Sequence, residues 1–275
     1  MPAGMPGRGG GGPILVPASV VPALAPKIYG PSLVGWSRPP NQSIYTRSRY
    51  VASSTPAVLS YSTTFALTEN PLSEGGNWVH VQDRTDFRST GGVAYGLQTG
   101  SGPPGGVYDD SIMCLSFGTW TNVEIITTVS VAGAITDFCE LEHTHRCNAA
   151  TGQYYEVNLA KSGQYCNFYR AEGGVALANF TSLATETGGV QFSVPGGAVN
   201  DGDSFRTRMV GDTLTAWINR NAGAGWELIG SASDTSVGGH AAYASGRPGM
   251  GAFVSSPSSG PLSNYRHADF SATAI

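Results

Sequence analysis

From Ser60 onward, apolar residues recur at every second position in short runs, and each run ends in Gly, Asn, Asp or Ser. The clearest case is Asn200–Asn219. Phe205, Thr207 and Met209 alternate with Arg206, Arg208 and Val210, and Leu214, Ala216 and Ile218 alternate with Thr215, Trp217 and Asn219. Period two places one row in a core and the other toward solvent. Gly211-Asp212 between the runs predicts a two-residue hairpin turn of type II′, because glycine at the first central position accepts positive φ. The same pattern predicts strands over Ser60–Leu67, Val93–Leu97, Met113–Phe117, Val123–Val131, Asp137–Cys147, Tyr154–Ala160, Tyr165–Ala171, Val175–Phe180 and Gln191–Val194. Trp226–Ser233, Gly249–Ser255 and Ala268–Ala274 complete the set. About a dozen strands at this spacing, with no amphipathic helix, predict an all-β sandwich of two antiparallel sheets, a jelly roll, over residues 59–275.

Residues 1–58 follow a different rule. Gly4–Gly12 is a glycine-dominated leader, and Ile14–Trp36 mixes Val, Ala, Leu and Pro without a period of 2 or 3.6. It is too apolar for a solvated tail. Leu15, Val16, Val20, Val21, Leu24, Ile28, Tyr29, Leu33, Val34 and Trp36 all require a surface to cover them. The segment reads as an extended arm that lies on neighbouring subunits of an assembly. The competing expectation is an arm folded back on its own domain.

Composition narrows the classes further. Only 12% of residues are charged and 38 are glycine, which fits a turn-rich β protein. A net charge of −4 gives no electrostatic case for nucleic-acid binding. No stretch is apolar for long enough to span a membrane as a helix. Prolines 13, 17, 22 and 26 interrupt the one apolar run near the start, so a signal peptide is not expected. Cys114, Cys139, Cys147 and Cys166 read as buried reduced thiols, although an even count allows disulfides.

Several short motifs occur in an order that resembles bacterial and phage domains of the concanavalin A-like, or laminin G-like, jelly-roll class. They are Phe65–Trp78 (FALTENPLSEGGNW), Tyr155–Leu159 (YEVNL), Tyr165–Arg170, Gly202-Asp203-Ser204-Phe205, Gly211–Ala216, Gly246–Gly251 (GRPGMG) and Ala268-Asp269-Phe270. In phages, such domains are similar to parts of tail-tip, fibre and capsid decoration proteins. The resemblance therefore implies a virion structural protein, a minor tail or appendage protein. The arm would anchor it to other virion proteins and to copies of itself, and the jelly roll would be displayed outside, where it could bind a host-surface glycan. The alternatives are a capsid decoration protein, a free carbohydrate-binding module or a glycoside hydrolase.

The chain offers few residues for catalysis. On a strand, Cys139, His143 and His145 point to one face and Glu140 and Glu142 to the other. With Cys147 they suggest a zinc set, but Cys139 and Cys147 would lie ~26 Å apart along one straight strand. The expectation is therefore an exposed or edge strand with a polar row, and no metal. Related jelly-roll glucanases carry Glu-x-Asp-x-x-Glu on one strand. Aligned on Glu140, that motif puts Glu142 at the Asp and His145 where the closing Glu belongs, so one of the two carboxylates that glycoside cleavage needs is missing. No Gly-x-Ser-x-Gly elbow and no phosphate loop occur. Catalytic residues and cofactors are accordingly not expected. Asp109-Asp110 or Asp201 with Asp203 could hold calcium, but such acidic residues in turns are mostly turn formers. Glycan contacts are expected from Trp217, Trp226, Asp234 and Tyr243 near loops, and from Arg170 and Asn158 on a sheet face. The competing reading makes Trp217 and Trp226 packing residues.

Overall fold

The computed structural model describes residues 58–98, 110–135, 139–183, 191–221, 223, 225–235, 241–254 and 261–275. All of them fall in the unit Ser54–Ile275. The expected arm, with its ten apolar residues from Leu15 to Trp36, lies outside the described residues, as does Asp109.

Among the described residues, seventeen strands form two antiparallel sheets. In chain order they are β1 (Ser60–Thr63), β2 (Thr68–Glu69), β3 (Trp78–His80), β4 (Phe87–Thr90), β5 (Ala94–Gly96), β6 (Ser111–Leu115), β7 (Val123–Val131), β8 (Cys139–Asn148) and β9 (Gln153–Ala160). There follow β10 (Phe168–Glu172), β11 (Phe180–Ser182), β12 (Ser204–Val210), β13 (Thr213–Asn219), β14 (Trp226–Ser233), β15 (Arg247–Val254), β16 (Tyr265–His267) and β17 (Phe270–Ala274). The fold is thus the all-β jelly-roll sandwich that the periodicity predicts.

One sheet runs β14-β13-β12-β7-β16-β5-β4-β2, with β17 joining β7 to β1. Its strands β7, β12 and β13 alternate between buried and more exposed positions: Val123, Ile125, Thr127 and Val129 on β7 face inward, as do Phe205, Thr207 and Met209 on β12 and Leu214, Ala216 and Ile218 on β13. The predicted hairpin holds, with Phe205 opposite Ile218 and Met209 opposite Leu214. Gly211 takes φ +56° at its first central position, the conformation a type II′ turn requires there.

The other sheet runs β11-β10-β9-β8-β15-β6-β3. Its central strands are buried on both faces. Leu141, Tyr155, Val157, Leu159, Phe168, Met250 and Ala252 meet the first sheet in the main core. On the opposite face Val81, Ile112, Cys114, Cys147, Tyr154 and Ala171 form a second cluster, against which Phe180 packs.

Several expectations are corrected here. The strand bearing Cys139–Cys147 is neither exposed nor at an edge: β8 sits between β9 and β15, and every residue but its last is buried. Its polar row is covered because the sheet has a second cluster on its outer face. Val175–Phe180 is not a strand. Gly173 and Gly174, at φ +93° and +71°, turn the chain, and a 3-10 turn over Leu177–Asn179 precedes β11. Gln191–Val194 contributes only one bridge, Phe192 to Cys166. The short strands β2, β4 and β16 escape the periodicity because two to four residues cannot establish it. All four cysteines are buried free thiols.

Between the sheets lies a polar layer. His143 Nδ1 and His145 Nε2 both hydrogen-bond with Thr207 Oγ1, at 2.9 and 2.7 Å. His143 also meets Thr127 Oγ1 at 3.3 Å and stacks on Phe205. Burial holds these imidazoles neutral, with His145 pushed down to about 3. Thr207→Val keeps the shape of the side chain but strips two buried ring nitrogens of their partner. Unfolding in urea should show a loss of about 2–4 kcal/mol. Thr215→Val, on the solvent side of β13, should stay within about 0.5 kcal/mol of the parent.

Candidate functional site

The outer face of the seven-stranded sheet carries a pocket lined by Asp110, Glu140, Glu142, Glu156, Asn158, Tyr169, Phe180 and Phe253, with a volume of about 80 Å³. The strand period builds it. On β8, Leu141 and His143 turn to the core, so Glu140 and Glu142 turn outward. On β9, Val157 and Leu159 point inward, so Glu156 and Asn158 point outward. Antiparallel register sets Glu142 opposite Asn158 and Thr144 opposite Glu156. Asp110 arrives at the head of β6, two strands away across β15. Gly251 of β15 sits opposite Glu142, and a Cβ there would overlap the Glu142 carboxylate and Ile112. Glycine at 251 therefore leaves the space that Glu142 fills.

The pocket has an acidic floor and an aromatic rim. Glu140, Glu142, Glu156, Asp110 and Asn158 are all buried, and Glu142 is 0% exposed. Tyr169, Phe180 and Phe253 are half-buried. Glu140 accepts hydrogen bonds from Tyr165 Oη at 2.5 Å and from Asn158 Nδ2 at 3.0 Å. Asn158 Oδ1 in turn accepts from the Asn167 backbone N–H at 2.7 Å. Burial raises the Glu140 carboxyl to about 7, against the opposing pull of those hydrogen bonds. Burial raises Glu142 and Glu156 well above the ordinary carboxylate range. Repulsion from neighbouring carboxylates adds to this, and Arg84 opposes it. Arg84 lies over the Tyr154 and Phe180 rings and donates to Tyr154 Oη and the Gly174 carbonyl.

The six residues expected to contact a glycan do not come together. Asn158 lines the pocket. Arg170 points the other way: it lies opposite the core residue Tyr155, so it shares no face with Asn158. Arg170 and Asp234 are both fully buried and paired at 2.9 Å. Tyr155 Oη donates to Asp234 at 2.6 Å, and Tyr243 donates its N–H to Tyr155 Oη and its hydroxyl to Glu172. These residues form one hydrogen-bonded network. Trp217 and Trp226 stand on the outer face of the other sheet. They hold the Arg206 guanidinium at 4.3 and 4.4 Å from their ring centres.

The rejected motifs also find their places. Cys147 does not share a face with the histidines. Arg146, at φ +49°, interrupts the β8–β9 register, and Cys147 joins the outer cluster. His145, in the position of the missing carboxylate, faces the core. Asp201 and Asp203 act as turn formers: Asp201 accepts from Val131 N–H, and Asp203 from the Asn200 and Asn221 N–H groups and from Arg220. The sequence reading missed the rim aromatics Tyr169, Phe180 and Phe253 as site residues, and it missed Glu156. It alternates correctly on its strand, but nothing in the linear order sets it beside Glu142.

No protein-family model matches the sequence, and no curated protein matches it. Among solved structures it is similar to the carbohydrate binding module CBM66 from Bacillus subtilis, at 13% identity, covering 74% of this chain and 95% of that one, with a TM-score of 0.46. Basic winged bean lectin with Tn-antigen gives 10% identity, 78% and 98% coverage and a TM-score of 0.47. The GH43 protein BlXynB from Bacillus licheniformis gives 11%, 78%, 39% and 0.43. At these identities and TM-scores the likenesses carry no inference about chemistry.

Raised carboxyls make the site a cost to folding above acidic pH. A group whose folded pKa is raised stabilises fully below its unfolded value, and that contribution is lost as pH climbs through the folded value. In chelator-treated samples, Glu142→Gln/Glu156→Gln should therefore unfold later than the parent. The gap should widen as pH rises from about 4.5, the usual carboxylate range, to neutrality. Paired denaturation curves across that range measure it. A constant gap would contradict the electrostatics described.

Proposed function

We propose that the sandwich binds a hydroxyl-rich saccharide over the acidic pocket and does not cleave it. The observation that carries this reading is the pairing of an aromatic rim (Tyr169, Phe180, Phe253) with a floor of hydrogen-bonding groups (Glu140, Glu156, Asn158). Sugar rings present apolar C–H faces that pack on aromatic rings, and hydroxyls that donate to carboxylates. A concave site with a few convergent polar groups is the usual form of a small-ligand site. Two features favour binding over hydrolysis. Cleavage by a retaining route needs one carboxylate ionised as nucleophile, whereas Glu142 and Glu156 are both held toward the neutral acid. His145, where the closing carboxylate of the glucanase motif belongs, faces the core and leaves that acid missing.

The wider setting is proposed from the leader and from the order of the jelly-roll motifs. Residues 1–58 anchor the chain to a phage particle, beside copies of itself and other virion proteins, and residues 59–275 present the pocket to a host-surface glycan. A minor tail or appendage protein is the favoured form, with capsid decoration as the second.

A glycan microarray probed with the full chain should give a defined set of positive saccharides, and calorimetry should then give affinities. Tyr169→Ala and Asn158→Ala should each weaken binding by about tenfold, equivalent to about 1.4 kcal/mol. Full affinity in both variants would remove the pocket from the reading. Release of reducing ends from a bound saccharide would replace binding with hydrolysis.

Deleting residues 1–50 should leave the saccharide affinity unchanged while abolishing incorporation into particles. Normal incorporation of the truncated chain would exclude the anchoring role.

A further inference from the structure

Three of the floor carboxylates are arranged in a way that a saccharide alone does not explain. Asp110, Glu142 and Glu156 come from three separate places in the seven-stranded sheet, yet one carboxylate oxygen of each lies within 4.8 Å of the other two. All three residues are buried. Neither oxygen of Glu142 meets a hydrogen-bond donor among the described residues, and neither does Oε2 of Glu156. A fully buried carboxylate without a donor is costly, because the ion has been taken out of water. Like charges at this distance raise the cost. Arg84 supplies one opposing charge, but its guanidinium is already engaged with Tyr154 and the Gly174 carbonyl. The backbone nevertheless keeps the space open, since any side chain at residue 251 would collide with the Glu142 carboxylate.

We propose that Asp110, Glu142 and Glu156 bind one calcium ion in the floor of the pocket. An all-carboxylate set selects a hard cation, and the absence of thiolate or imidazole from the trio disfavours zinc and copper. The nearby histidines, His143 and His145, face the opposite side of β8. Oxygens on opposite sides of a calcium ion stand about 4.8 Å apart, whereas magnesium draws them to about 4.2 Å. Separations within 4.8 Å admit either ion, so the choice rests on coordination. Calcium also takes six to eight oxygens and accepts irregular geometry. Three protein carboxylates and several waters satisfy it, and a volume of about 80 Å³ has room for those waters. The ion would supply a positive partner for both Glu142 oxygens and for Glu156 Oε2, which no N–H among the described residues reaches.

This site goes beyond the saccharide reading and is tested without any sugar. The full chain is stripped with chelator at pH 7.5 and titrated with calcium chloride in a calorimeter, while equilibrium dialysis counts bound metal. One calcium per chain and a rise in melting temperature are expected. Glu142→Gln and Glu156→Gln each remove a ligand charge and should weaken calcium binding by at least about tenfold. Both variants should stay folded, because each also relieves repulsion; circular dichroism and the melting curve verify this. Thr215→Val, on the outer face of the other sheet, should bind calcium like the parent. No bound calcium at millimolar concentration would overturn the site, as would unchanged affinity in both glutamine variants. Tighter binding of magnesium than of calcium would overturn the choice of ion.

Discussion

A polar strand lies in the middle of the seven-stranded sheet with every residue but its last buried. β8 carries Glu140, Glu142, His143, Thr144, His145 and Arg146, and all are buried. Each polar group on such a strand must find a partner or remain at a cost. The inner row does so in large part with the other sheet: two histidines share the hydroxyl of Thr207, and only His145 Nδ1 meets no partner among the described residues. Arg146 does so with the Thr121, Gly211 and Tyr243 carbonyls, tying the end of β8 to the turn of the β12–β13 hairpin. The outer row succeeds only in part. Glu140 is held by Tyr165 and Asn158, while Glu142 is held by nothing among the described residues. The candidate site begins where that accounting fails.

The two sheets therefore behave differently. The ten-stranded sheet has one dry face and one wet face, and its outer charges are handled at the surface. Arg206 lies between Trp217 and Trp226, and Arg208 pairs with Glu124. The seven-stranded sheet is covered on both faces, with a second apolar cluster built around Ile112, Cys114, Cys147 and Tyr154. Covering the outer face lowers the local dielectric around the acids. The same burial that raises their pKa values strengthens any interaction they make with a ligand hydroxyl or a cation.

The buried pair Arg170–Asp234 illustrates the opposite outcome. Its charges are also removed from water, but Glu172, Tyr155 and Tyr243 complete a network around them. That network joins β9 and β10 to the segments that hold Asp234 and Tyr243. Residues of the kind that contact ligands elsewhere are here committed to holding the sandwich together. Their chemistry alone did not distinguish the two roles; their partners did.

Alternation along β7, β12 and β13 was legible in the sequence because a half-buried strand imposes period two wherever one face is dry. The Gly211-Asp212 turn was legible because a two-residue hairpin of this type demands positive φ at its first central residue. The opposite orientations of Glu140 and His143 followed from the same period. Two further facts are not local. Neighbouring strands placed β8 in the centre of its sheet, and an antiparallel register brought Glu156 and Asp110 to Glu142 from distant parts of the chain. Side-chain period is a property of a few consecutive residues, whereas strand order and register depend on which surfaces must be covered once the whole chain has collapsed.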